Sequence, residues 1–343
     1  MPATVRVAIE ESSQIAEVRR AIQKMASDLG FDEIRSGQMA IVATEAATNI
    51  LKHATRGEIL LSTNGDQLEL LALDSGPGMH NLEHCLQDGV TSASSPGQGL
   101  GAIRRLSNES DFYSVESKGT AILARWRPPV RPRLVNGPST DVIPLHIGFV
   151  NVSKRGQEVC GDSWGAEQSA EVSTIMVADG LGHGYEASTA SLEAVRILHD
   201  HAELSPQLLL ERTHQALRSS RGAAVAVARI DHFHRKLTFS GVGNIMAQVY
   251  SGSQPGQHLV SVNGTAGHQT QRLREFAYPW PESGMLVLSS DGLATSMSLL
   301  SQPALAFCDP SLIAGVLYRD FARGHDDATV VVAKTSTNGM DTR

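Results

Sequence analysis

Apolar residues recur at Ile15, Val18, Ile22, Met25 and Leu29, which share one face of an α-helix, and Gly30 follows as a C-terminal stop. A second helix is predicted over residues 36–54, and short apolar runs at 58–63, 68–73 and 120–126 predict strands. The first part of the chain is therefore mixed α and β. Farther along, strands are predicted at 145–152, 172–178, 223–230, 236–241, 246–251, 285–289 and 328–334. A helical stretch at 185–202 and 205–219 is divided by Ser205-Pro206, a helix-start signal. Between the two parts, RPPVRPRLVNGPST at 127–140 keeps no hydrophobic period, and its prolines remove backbone donors and fix φ. The expected division is a first domain at 1–127, a linker at 128–140, a second domain at 141–335 with sheets inside and helices outside, and a frayed tail at 336–343.

A chain of 343 residues suits two cores better than one. Its formal charge of −7 gives no basic footprint, so no nucleic-acid partner is expected. The three cysteines, Cys85, Cys160 and Cys308, are far apart and lack CxxC spacing. Neither a disulfide framework nor a zinc site is expected, and a reducing cytoplasm fits best. The opening MPATVRVAIEESSQ has acidic residues where a signal peptide would be apolar, and no apolar run approaches the ~20 residues that span a bilayer, so no membrane partner is expected.

Four acidic positions of the second domain lie beside apolar strands: Asp162 after Gly161, Asp179 before Gly180, Asp291 before Gly292, and Asp326 before Asp327. Taken alone, an Asp-Gly pair is an ordinary turn. Several aspartates delivered by strand ends can instead converge on one point, and the glycine after Asp179 and after Asp291 lets the backbone carbonyl approach an ion. Oxygen ligands suit Mg²⁺ and Mn²⁺, two of which can activate water for attack on phosphorus.

In this order the motifs CGDSW, ADGLGHG, SSDGL and HDDATVVV resemble the metal-dependent PP2C phosphatases, in the compact branch of the sporulation stage II E and stressosome feedback phosphatases. The resemblance implies an αββα sandwich and hydrolysis of phosphoserine or phosphothreonine by metal-activated water, with two Mg²⁺ or Mn²⁺ ions at Asp162, Asp179, Gly180, Asp291 and Asp326. By motif position Asp326 is preferred to Asp327. No arginine near the start of the domain is assignable to phosphate. Gly243-Asn244 is either a turn or a contributor to the site, and His183 either relays a proton or is a hydrogen-bonded loop histidine.

In the first domain ATEAATNILKHA places Glu45, Asn49 and His53 on one helical face. LELLALDSGPGM ends a strand at Asp74, followed by Gly76 and Gly78, and SSPGQGLGAIRRL sets Gly97, Gly99 and Gly101 before a helix, where free backbone amides can meet phosphate. The ordered set resembles the GHKL (Bergerat) ATPase fold, an α/β sandwich, in the small serine kinases related to anti-sigma factors and most nearly the stressosome switch kinase. That resemblance implies ATP with Mg²⁺ as cofactor. Asn49 would hold the ion, Asp74 the adenine amino group, and Gly76, Gly78, Gly97, Gly99 and Gly101 the nucleotide loops, with Thr120 closing the site. Glu45 would accept the proton of a substrate hydroxyl. Residues 88–97 would form a lid, and Arg104-Arg105 a solvated face.

Together the two resemblances imply an α+β, two-domain switch protein that writes and erases phosphate on STAS-type anti-sigma antagonists or stressosome proteins, or acts on their phosphorylated forms. A homodimer is compatible with this. The alternatives are a phosphatase alone, with a first domain that senses nucleotide or captures a partner, and a first domain that holds a sigma factor or its regulators.

Overall fold

The computed structural model describes residues 4–54, 56–86, 99–128, 145–252 and 254–335, and the chain divides into two compact units, Met1–Gly137 and Pro138–Arg343. The expected 128–140 linker lies, except for Pro128, outside the described residues, as do the 88–97 lid with Gly97 and the 336–343 tail.

The first unit runs β1 (Val5–Ile9), α1 (Ser12–Asp28), α2 (Glu33–His53), β2 (Gly57–Asn64), β3 (Gln67–Asp74), α3 (Leu82–Cys85), α4 (Gly99–Leu106), β4 (Glu109–Val115) and β5 (Gly119–Trp126). Its strands form one antiparallel sheet in the order β1-β2-β3-β5-β4. Val18 and Ile22 of α1, Met39, Val42, Ala46 and Ile50 of α2, and Ile103 of α4 pack on alternate side chains of the sheet, among them Ile59, Leu61, Leu68, Leu70, Ile122 and Trp126. The result is one helical layer on one sheet. Helix α2 begins three residues before the expected start, where the Asp32 carboxylate accepts the Arg35 amide at 2.7 Å and caps it.

In the second unit β6 (Leu145–Val152), β7 (Asp162–Gln168) and β8 (Val172–Gly180) precede α5 (Tyr185–Asp200) and α6 (Pro206–Ala216). There follow β9 (Ala223–Asp231), β10 (Lys236–Val242), β11 (Met246–Ser251), β12 (Gln257–His258), β13 (Phe276–Pro279), β14 (Gly284–Ser289), α7 (Pro310–Phe321) and β15 (Ala328–Thr335). The strands make two five-stranded sheets, β13-β10-β9-β8-β7 and β12-β11-β14-β15-β6. Their facing sides share a core that includes Trp164, Ile175, Val177 and Phe239 from the first sheet and Phe149, Leu286, Leu288 and Val331 from the second. The alternate residues of the first sheet, Met176, Ala178, Val225 and Val227, pack on Ala190, Ala194 and Leu198 of α5 and Leu209 of α6. Helix α7 lies on β6 and β15. The order of layers is α, β, β, α.

Among the described elements β1, α3, β4, β7, β12, β13 and α7 lie outside the expected set, and three of them show why. Strand β7 carries no alternation: Gly165 replaces a side chain because one there would come within 2.6 Å of Val195 on α5. Helix α7 has a start signal, Asp309 capping Ser311 with Pro310 in the first turn, but Pro310 to Tyr318 are all buried, so no polar face gives it a period. Strand β4 lies at the sheet edge with mostly half-buried polar residues.

Helix α7 ends just before the loop that carries Asp326, so its seat on β6 matters to the site. Gly148 permits that seat, since a Cβ there would fall 2.0 Å from the Ser311 amide nitrogen. Gly148→Ala is expected to overpack this contact and lower the stability of the second unit by about 1–3 kcal/mol. The measurement is the urea unfolding midpoint at unchanged slope, and an unshifted midpoint would contradict the packing argument.

Candidate functional site

In the second unit the ladder between β7 and β8 sets Asp162 directly opposite Asp179. Directly opposed residues of an antiparallel pair point to the same side of the sheet, and like charges so placed repel. Asp162 is buried and its Oδ2 has no hydrogen-bond partner. Burial raises its pKa to about 7, with the Asp327 charge adding to the rise and the Ser290 and Thr329 hydroxyls opposing it. Asp179 is pushed up to about 9 by burial first, then by the carboxylates of Asp162, Asp291 and Asp326. Asp179 therefore senses the charges of the other three predicted aspartates.

An open cleft of about 520 Å³ lies over this group, and Asp179, Asp291 and Asp326 line it with Lys154, His183 and Asn244. Asp162 lies outside that lining, opposite Asp179 on the neighbouring strand. Asn244 donates from Nδ2 to Asp291 Oδ2 at 2.7 Å, so the Gly243-Asn244 segment contributes a side chain that orients one of the carboxylates. Exposed His183 stands on the lining.

The two members of the terminal pair have different surroundings. Asp327 is 3% exposed, and its oxygens accept the backbone amides of Lys154 at 2.8 Å and Gly161 at 3.0 Å. It ties the loop before Asp162 to the loop of Asp326, while Asp326 faces the cleft. The glycines that follow Asp179 and Asp291 also serve close packing. A Cβ on Gly180 would fall 2.0 Å from the Ala187 carbonyl oxygen, and one on Gly292 would fall 1.9 Å from that of Asp327. Gly180 lets α5 approach and Gly292 lets the Asp291 loop lie on the Asp327 backbone.

These residues fit divalent cations: the donors are oxygens, one of them is a buried carboxylate oxygen without a partner, and the negative charges are crowded beyond what burial tolerates unpaired. Among the described residues no three His, Cys, Asp or Glu side chains enclose a single point. An open ring is what Mg²⁺ uses, since that ion keeps several waters and takes one or two carboxylates rather than a full protein cage.

In the first unit Glu45 and Asn49 lie one turn apart on α2, both half-buried. Gly99, the first residue of α4, stands over both: a Cβ there would sit 3.5 Å from Glu45 Oε2 and from both terminal atoms of the Asn49 amide. Asp74 ends β3, and its Oδ1 accepts the amides of Gly76 at 2.8 Å and Thr120 at 3.1 Å. A Cβ on Gly76 would be 3.0 Å from Ala54 at the end of α2, so the Asp74 loop lies against the helix that carries Glu45 and Asn49. Gly78 has a φ of 71°, and its Cβ would fall 2.2 Å from the Val115 carbonyl oxygen. Glycine is required there by both conformation and space. Gly101 is buried within α4, His53 is exposed at the end of α2, and Arg104 and Arg105 are exposed.

Four lining residues had no place in the sequence reading: Lys154, Asn263, Gly264 and Thr265. Lys154 follows a strand by two residues, a placement much like that of the aspartates, and Asn263-Gly264 is a turn signal of the kind that was read at Asn244. Both signals were available.

Residues 9–126 match the family described as histidine kinase-like ATPase domain, and residues 170–336 match that of stage II sporulation protein E. Serine/threonine-protein kinase RsbT of Bacillus subtilis (strain 168) is 30% identical over 117 residues, covering 33% of this chain and 88% of that protein. Phosphoserine phosphatase RsbX of the same organism is 25% identical over 142 residues, covering 41% of this chain and 71% of that protein. The crystal structure of RsbX in complex with magnesium superposes with a TM-score of 0.51 at 23% identity, over 56% of this chain and 96% of that one, a likeness of fold. Among the described residues no helix is long and apolar enough to cross a membrane.

The raised carboxylates fix the sign of a pH effect. Folded Asp162 and Asp179 hold protons more tightly than an unfolded aspartate, whose pKa is about 4. Their contribution to stability is full below about pH 4 and is lost as pH rises through about 7 and about 9. Metal-free protein should therefore melt at progressively lower temperature as pH is raised across this window, and Mn²⁺ should restore most at the alkaline end. Thermal melts at several pH values, with chelator or Mn²⁺, check this; a metal effect independent of pH would contradict it.

Proposed function

Because the chain belongs in its first unit to the histidine kinase-like ATPase family and in its second to the stage II sporulation protein E family, we propose that it is a bifunctional partner-switching regulator, a serine/threonine protein kinase joined to a metal-dependent phosphoserine/phosphothreonine phosphatase. The observation that carries the reading is the convergence of Asp179, Asp291 and Asp326 at one cleft, with Asp162 directly opposite Asp179 on the neighbouring strand and a lysine among the acids.

Asp162, Asp179, Asp291, Asp326 and the Gly180 carbonyl would hold two Mg²⁺ or Mn²⁺ ions. Such ions neutralise phosphoryl charge and lower the pKa of the water that attacks phosphorus. Asn244 fixes the orientation of Asp291, and Asp327 fixes the backbone on which Lys154 and Asp326 stand. The Lys154 ammonium binds phosphoryl oxygens as a point charge, in the role for which no arginine was found. No side chain need act as a covalent nucleophile, so no phosphoenzyme forms.

In the first unit Glu45 accepts the proton of the substrate hydroxyl, Asn49 would hold Mg²⁺ of bound ATP, and Asp74 recognises the adenine amino group. The hydrogen bonds from the Gly76 and Thr120 amides set the Asp74 carboxylate for that task. Gly76, Gly78, Gly99 and Gly101 would leave the backbone open to the phosphates, and by its place in the motif Gly97 would join them. RsbT and RsbX are, by name, a protein kinase and a phosphoserine phosphatase, and that pairing supports STAS-type regulators and their phosphorylated forms as partners here. One chain that carries both activities raises the local concentration of each near the other's product. Futile cycling is avoided if the two sites act on different residues or partners.

Asp179→Asn or Asp291→Asn should abolish Mn²⁺-dependent release of phosphate from a phosphoprotein without changing the circular-dichroism spectrum; undiminished turnover in either variant refutes the phosphatase assignment. Lys154→Met should raise KM about tenfold or more with a smaller effect on kcat, the signature of lost substrate binding. In the kinase unit Glu45→Gln should slow transfer from γ-labelled ATP to a STAS protein by about 10²–10⁴ while ATP still binds. Measurable ATP binding with no transfer by the unaltered chain would instead leave a nucleotide-sensing module.

A further inference from the structure

The cleft of the second unit has an apolar border that the phosphatase reading does not use. Leu181 is 56% exposed, Tyr185 79% and Val159 39%. Single exposed apolar side chains are ordinary, but Leu181 lines this cleft, Tyr185 lies four residues beyond Leu181, and Val159 lies on the loop that carries another lining residue, Lys154. Leu181, Gly182 and His183 line it, Gly184 follows, and Tyr185 is the first residue of α5. The segment that carries Val159 is brought to the same place, because a Cβ on Gly184 would sit 3.0 Å from Gln157 Oε1. Gly184 has a φ of 76°, so its backbone conformation also favours glycine.

This border is held in place. The Leu181 amide donates to the Gly222 carbonyl at 3.0 Å, and Glu186, next to Tyr185, pairs with Arg221. The Tyr185 ring is therefore anchored through the helix that bears it while remaining open to solvent. A cleft of about 520 Å³ is several times larger than a phosphoryl group, so it has room for more of a substrate than the phosphate.

We propose that Tyr185, with Val159 and Leu181, forms a subsite that selects a large apolar residue flanking the phosphoserine of a polypeptide substrate. The subsite rests on the phosphatase reading and adds sequence selectivity to it. Leu181 lines the cleft and is itself 56% exposed, so the apolar border begins inside the cleft. A small phosphate ester reaches the cleft and leaves the border uncovered. A polypeptide must cross the border to deliver its phosphoserine, and an apolar side chain there removes apolar area of both partners from water.

The test uses the full chain with Mn²⁺ and two kinds of probe: p-nitrophenyl phosphate, and synthetic phosphoserine peptides with leucine or serine placed in turn at each position near the phosphoserine. At one or more positions leucine should raise kcat/KM about tenfold over serine, as burial of one leucine predicts. Tyr185→Ser should remove that preference with p-nitrophenyl phosphate turnover unchanged, and Tyr185→Phe should retain it. No preference in the unaltered protein, a preference that survives Tyr185→Ser, or an equal loss on both probes overturns the subsite. Absence of hydrolysis of both p-nitrophenyl phosphate and every phosphoserine peptide by the unaltered protein overturns the phosphatase reading itself, and the subsite with it.

Discussion

Crowding of negative charge at the end of the β7–β8 ladder is the constraint around which the second unit is organised. Asp162 and Asp179 oppose one another across the pair, and both are held where burial disfavours the ionised form. Sheet packing alone would place apolar residues there, as it does at Ala178 and Val177 immediately before. A chain that retains opposed buried carboxylates at such a point carries a local destabilisation that either protons or bound metal cations relieve. The neighbouring aspartates reach the same place from loops whose paths are set by other contacts: Asp291 from a turn lying on the Asp327 backbone, Asp326 from the loop after α7.

Glycine has two separate parts in this arrangement. In the first unit Gly78 combines a positive φ with a close backbone approach. In the second, Gly180 and Gly292 serve approach alone, for their Cβ positions are filled by neighbouring carbonyl oxygens. The Asp-Gly pattern therefore records the tightness with which helix α5 and the terminal loop close on the carboxylates, and any access it gives to an ion comes in addition. Asp327 illustrates the same division of labour, as a buried carboxylate whose two backbone amide partners make it a strut between loops.

Legibility in the sequence followed the physics of each element. Strands buried on both faces, such as β8 and β15, read as unbroken apolar runs with turn residues at their ends and were visible at once. Helix α1 showed its single apolar stripe. Helix α7 hid because it is apolar all round, and β7 hid because Gly165 makes room for α5 and Asp162 serves the cleft. The aspartates were found because each adjoins a strand and three of the four adjoin a glycine. Lys154, two residues past a strand, and Asn263, in an Asn-Gly turn, carry local signals only, and tertiary packing brings them and Thr265 to the cleft. In the first unit the helical spacing placed Glu45 and Asn49 on one face, but only the fold shows Gly99 standing over both.

The central claim is that the carboxylate ring exists to bind divalent cations, and its most direct measurement is a calorimetric titration of nucleotide-free chain with Mn²⁺ in buffers of different ionisation enthalpy near pH 7. Carboxylates whose pKa values are raised must lose protons when the ions enter, so the account predicts two ions per chain bound with release of protons, and a smaller release in Asp179→Asn. Absence of Mn²⁺ binding, or binding whose heat does not depend on the buffer, would contradict it.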